Sequence, residues 1–221
     1  MESCIFLEDD TIPDLTFFPF CAELLHKFWN NPQIATISGT KFFTGYKSSN
    51  TQESYFFSRY PQLWGWATWK WKWGKYYDPD LSDWDSVKTR RRIVKSIPYR
   101  EEIVWRGYWD EVYKNKIDTW DRQLGFSFFR NNLLSVIPST NLVSNIGFGH
   151  PDATHTLKES WQGNLKSRTL QFPLKHPISV SPERNFDKLL SNHFAPTLRT
   201  RLRNKLGRTR NFLISALKSS F

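Results

Sequence analysis

Between residues 42 and 77, 14 of 36 positions are Phe, Tyr or Trp, and this density limits the fold more than any other feature. A buried ring removes roughly 150–250 Å² from water, so rings are core residues first. Yet Trp64, Trp66, Trp69, Trp71 and Trp73 fall within ten positions, too close in sequence to face a single core. The stretch therefore has a mixed role, with some rings buried and others exposed as platforms for flat apolar faces such as sugars and bases. With 39% hydrophobic and 24% charged residues among 221, disorder and collagen-like folds are excluded. No apolar run approaches the roughly 18 residues of a spanning helix, and the first residues lack the basic and apolar regions of a signal peptide. Cys4 and Cys21 are too few for a disulfide framework and lack metal-site spacing, so they read as small buried side chains in a reducing, cytoplasmic setting.

The formal charge of +10 is unevenly placed. Residues 199–221 hold seven basic side chains and no acid, while residues 1–198 balance 24 Lys and Arg against 21 Asp and Glu. A nucleic-acid-binding domain carries its basic residues on the folded body, so no specific nucleic-acid partner is expected. The tail, with Leu202, Leu206, Leu213 and Leu217 partly on one helical face, has two readings. One is peripheral contact with an anionic membrane surface, worth about 1 kcal/mol per basic residue. The other is a solvated end.

The apolar run Cys4-Ile5-Phe6-Leu7 followed by Glu8-Asp9-Asp10 reads as a buried strand ending in acids. A helix over 17–29 is predicted by Phe17, Phe20, Leu24, Leu25 and Phe28, and a strand over 34–39 follows it. Strand, helix, strand is the order of an α/β layer. Residues 81–106 look helical with a break at Pro98, and 108–115 form a further helix with Trp109, Val112 and Tyr113 inward. A helix starting at 118–121 carries Phe126, Phe128 and Phe129. Residues 133–137 read as a strand, 138–145 as a loop, and residues beyond about 160 lose periodicity.

Three features carry candidate chemistry. Adjacent acids at a strand end repel one another, and a hard divalent cation with oxygen ligands relieves that repulsion. Strand alternation would point Glu8 and Asp10 the same way. The alternative is a solvated turn with a capping aspartate. In Asp118-Thr119-Trp120-Asp121, a carboxylate partly desolvated beside a ring gains the proton affinity of a general base. Helix capping by Asp118 or Thr119, with Asp121 at the positive helix start, is the alternative. His155, after a glycine-containing loop, is either a metal ligand or a hydrogen-bonding loop residue.

In this order, Phe6-Leu7-Glu8-Asp9-Asp10, Ser38-Gly39-Thr40, residues 54–60, residues 64–69, residues 118–121 and residues 141–156 resemble GT-A type glycosyltransferases. The likeness is to the bacterial family-2-like nucleotide-diphospho-sugar transferases and covers about residues 4–156. It implies an α/β fold with a mixed sheet flanked by helices, a partial GT-A fold lacking the first nucleotide-binding strands. It further implies Mn²⁺ or Mg²⁺ held by Asp10, Glu8 and His155, and donor contacts from Asp9 and Gly39. Asp121 would be the catalytic base with Asp118 in reserve, and Arg59, Trp66 and Trp69 would shape the acceptor or diphosphate region. The reaction implied is inverting transfer from a nucleotide-sugar donor to a carbohydrate or glycoconjugate hydroxyl.

Only seven residues precede Glu8, whereas GT-A folds place a strand-and-helix half there. The chain alone is accordingly expected to bind donor poorly and to be nearly inactive, with an exposed sheet edge. The expected organisation is a catalytic part over 1–160, an irregular extension over 161–198 and a basic tail over 199–221. The competing reading is a non-catalytic carbohydrate- or nucleic-acid-binding module that uses the aromatic block and the tail without metal.

Overall fold

The computed structural model describes residues 2–97, 99–117, 119–148, 163 and 165–194. In chain order the elements are β1 (Ser3–Phe6), β2 (Thr11–Pro13), α1 (Phe17–Lys27), β3 (Ile34–Ser38), β4 (Tyr55–Ser58), β5 (Trp66–Trp69) and α2 (Lys70–Tyr76). They continue with α3 (Val87–Ser96), α4 (Tyr99–Tyr113), α5 (Asp121–Asn131), β6 (Leu134–Pro138), β7 (Val143–Asn145) and α6 (Arg184–Phe194). Five strands form one mixed sheet in the order β1-β5-β3-β6-β4, and β2 pairs with β7 in a separate ribbon. Within this sheet β3 and β6 pair in parallel; β5 runs antiparallel to both β1 and β3, so β1 points the same way as β3 and β6. The acids after β1 thus lie beyond the carboxyl end of the sheet's parallel set, the edge where open α/β sheets place ligands.

Both faces of the sheet are covered, which is why its inner strands are buried along their whole length, with the polar Thr36, Ser38 and Ser135 hydrogen-bonded to one another. Along β4, Tyr55 and Phe57 enter one core and Phe56 the other, as a period of two requires. The first core packs Phe17, Phe20, Cys21 and Leu24 of α1 against Ile37, Ala67 and Trp69. The second gathers Ile93, Trp109, Phe126, Phe129 and Phe186 from α3, α4, α5 and α6. The aromatic density of residues 42–77 is resolved by this division, since the block supplies two strands and a helix that face different layers.

Several expectations are corrected. The strand before the acids ends at Phe6 and forms a sheet edge, with Ile5, Phe6 and Leu7 exposed rather than buried. Residues 99–113 are one helix, and Tyr113 at its end is exposed. The predicted loop over 138–145 contains β7, which pairs with β2. Within the expected irregular extension, residues 165–183 form no helix or named strand, Arg184–Phe194 form α6, and Leu170 and Leu174 join the first core and Phe186 and Leu190 the second. Short strands with few residues each carry too little periodicity to be read from sequence. The tail over 199–221 lies outside the described residues. Among the described residues, no helix is long and apolar enough to cross a membrane.

Candidate active site

The acids occupy a turn, not a strand. The Thr11 amide and hydroxyl both donate to the Glu8 carbonyl, at 3.1 Å and 2.7 Å, and Asp9 stands exposed in that turn. Strand alternation therefore does not govern these side chains. Glu8 lines an aromatic cavity of about 600 Å³, whereas Asp10 is held by the loop after β7. There the Asn145 side-chain amide donates to Asp10 Oδ2 at 3.0 Å, and the Ile146 amide donates to the Asp10 carbonyl at 2.8 Å. Asp10 Oδ1 is buried with no hydrogen-bond partner.

The start of α5 brings Asp121 into the same electrostatic field. Partial desolvation, followed by repulsion from Asp10, Asp9 and Asp121, pushes the Glu8 carboxyl above its ordinary range. Burial and the Asp121 charge likewise push the Tyr77 hydroxyl up. Asp121 itself is exposed; its Oδ1 accepts from the Arg122 amide at 2.8 Å and from the Thr119 hydroxyl. Of the two readings at 118–121, partial desolvation of Asp121 does not hold; the carboxyl whose pKa is raised is the solvent-reaching Glu8. Asp118 and His155 fall outside the described residues.

The cavity wall is a stack of rings. Phe6 and Trp120 both lie nearly parallel to Trp66, with centroids 4.6 Å and 5.6 Å away, and Trp73 tilts against it at 5.8 Å. The β1–β5 register fixes this stack, since Phe6 is directly opposite Trp66. Trp66 is only 4% exposed, whereas Phe6 is 43% and Trp120 38% exposed. The exposed rings of the stack are therefore Phe6 and Trp120, with Trp66 packed beneath them. Both residues stand in the quoted motifs, but nothing in the sequence showed that two segments 114 positions apart would stack on one indole.

Three further candidates have structural employment. Trp69 borders the cavity yet is fully buried; its indole N–H donates to the Leu25 carbonyl at 2.9 Å, and Lys72 Nζ sits 3.3 Å from its ring centre. Lys72 also donates to the Phe28 and Ile34 carbonyls, both at 2.7 Å, and burial lowers its pKa to about 7. Arg59 lies at the β4 end of the sheet, four strands from β1. It pairs with buried Asp187 at 3.1 Å and donates to the Ser96 carbonyl at 2.8 Å. It locks α6 and α3 to the sheet rather than lining the cavity. Gly39 is enclosed by Phe17 and Val143, with its amide donating to Gly65 and its carbonyl accepting from Leu142, so its place is one of close packing.

The residues that can meet a cation are then few. Among the described residues, no group of three His, Cys, Asp or Glu side chains is arranged to hold a metal ion. Mg²⁺-like ions on phosphates need only one or two protein carboxylates, the rest of the shell being phosphate oxygens and water. The unpartnered Asp10 oxygen fits such a role. No protein-family model matches the chain, and no curated protein matches it.

Proposed function

We propose that the chain is a metal-dependent glycosyltransferase with a GT-A-like arrangement, acting on a nucleotide-sugar donor and an acceptor hydroxyl. The observation that carries this reading is the meeting of Glu8, Asp9, Asp10 and Asp121 in one field beside an aromatic cavity at the carboxyl edge of the parallel strands. Glu8 feels the charges of Asp10, Asp9 and Asp121, which favours a cation nearby, and Asp10 is the one of these residues whose buried oxygen lacks any partner. A bound Mn²⁺ or Mg²⁺ would stabilise the negative charge that grows on a departing nucleoside diphosphate. Asp10 would hold it, with Glu8 adding charge from the cavity side and Asp9 facing solvent near the donor.

Asp121 is the proposed base. It is exposed at a helix start beside Trp120, so an acceptor seated against Trp120 and Phe6 would present a hydroxyl near its carboxylate. The acceptor's flat face would rest on those exposed rings, where burial of apolar area supplies the affinity. The cavity by itself also suits a carbohydrate-binding module without catalysis, because a flat sugar face can rest on the exposed Phe6 and Trp120 rings with no metal involved.

The two readings part on metal. Thermal denaturation with a nucleoside diphosphate, with and without Mn²⁺, reports a ligand of the folded state as a raised midpoint. A shift that needs both components and is absent in Asp10→Asn supports the transferase. In that case Asp121→Asn keeps the shift and loses whatever weak sugar transfer the parent chain shows. A shift with saccharide alone, indifferent to metal and to Asp10→Asn, establishes the binding module instead.

A further inference from the structure

Asn145 and Gly147 have no place in the chemistry above, yet both are built around Asp10. Asn145, the last residue of β7, is 5% exposed and uses both ends of its amide. Its nitrogen donates to Asp10 Oδ2 at 3.0 Å, and its oxygen accepts the Gly147 amide at 2.8 Å. The backbone completes the clamp, because Asn145 pairs with Thr11 across the ribbon and the Ile146 amide bonds the Asp10 carbonyl. Gly147 leaves the space the carboxylate occupies: a β-carbon there would lie 2.3 Å from Asp10 Oδ2 and 3.1 Å from its Cβ and Cγ. No side chain larger than hydrogen fits without moving Asp10.

This arrangement fixes one carboxylate oxygen and leaves the other, Oδ1, buried and without a donor. An ionised carboxylate only accepts, so an oxygen removed from water in this way is stabilised by a cation or a proton. We infer that Asn145 and Gly147 are positioning residues that set the Asp10 carboxylate so that Oδ1 is presented to a divalent cation. The inference rests on the reading of Asp10 as the cation's ligand. It assigns the asparagine that ends β7 and the glycine after it to the metal end of the site rather than to local structure alone.

The test is Mn²⁺ affinity of the full chain, measured with the metal alone by water-proton relaxation, together with metal-free thermal stability. Partners of a metal ligand typically contribute 10–100-fold in affinity. Asn145→Ala and Gly147→Ala are therefore expected to weaken Mn²⁺ binding at least about tenfold, while circular dichroism shows a folded chain. Thr11→Val, which removes a hydroxyl bond in the same turn without touching the Asp10 side chain, is expected to change stability and leave Mn²⁺ affinity within about twofold, well below that range. If Asp10→Asn abolishes Mn²⁺ binding but Asn145→Ala and Gly147→Ala do not weaken it, the positioning role is overturned and the ligand reading stands. If Asp10→Asn binds Mn²⁺ as the parent does, or the parent binds none, the ligand reading fails and the positioning role fails with it.

Discussion

Replacing Gly39 by alanine sets a packing role against a donor-binding one at a single position. A β-carbon at residue 39 would stand 2.6 Å from Phe17 Cε2, 2.8 Å from Phe17 Cδ2 and 2.6 Å from Val143 Cγ2. Carbon atoms rest at about 3.5–4.0 Å, so about 1 Å must be recovered on two sides. Neither neighbour has room to give: Phe17 and Val143 are fully buried in the first core. Overpacking of this kind costs about 1–3 kcal/mol. For a chain of this size each kcal/mol moves the midpoint by about 2–4 °C, so Gly39→Ala should melt roughly 2–12 °C lower. Differential scanning calorimetry gives the number. Val143→Ala removes one of the two obstructing groups, and in the double variant the two losses should be less than additive, as expected for side chains in contact. An unchanged midpoint in Gly39→Ala accompanied by weaker metal–nucleotide binding would refute the packing argument and restore a direct donor role.

Two other perturbations probe charge. Arg59→Met leaves the Asp187 carboxylate, whose side chain is 2% exposed, with the Ser58 hydroxyl but without its cation, a loss of about 3 kcal/mol near neutral pH. Burial holds the Asp187 pKa above its ordinary 3.8 despite Arg59 and Ser58. Its ionisation therefore opposes folding once pH rises through the raised value, and the Arg59→Met deficit should shrink as pH falls toward 3.8. A deficit independent of pH in urea unfolding contradicts this. Glu8→Gln acts in the opposite sense. The Glu8 pKa lies above 4.5, so the charged form costs stability above that value and nothing below it. The variant should melt slightly higher at neutral pH, by under about 1 kcal/mol because the group is exposed, and should match the parent below pH 4.5. A lower midpoint at neutral pH would mean that Glu8 has a partner cation among the protein's own groups.

The amino-acid sequence by itself determined the layers. Phe17, Phe20 and Leu24 recur at the helical period and form the inner face of α1, and the run at 34–38 is a fully buried strand, because burial of apolar area dictates both patterns locally. It also marked the carboxylates, since charges packed side by side are unusual whatever the fold. What sequence could not supply was which side chains meet. Phe6, Trp66 and Trp120 share a stack only because β1 pairs with β5 and α5 begins beside them. Arg59 and Gly39, chemically suited to a diphosphate, are claimed by Asp187 and by Phe17 and Val143. Asn145 reaches Asp10 across 135 positions, a contact with no local signature. Periodicity is a property of neighbours along the chain, whereas desolvation, stacking and repulsion depend on distances in space, and those are set by tertiary packing alone.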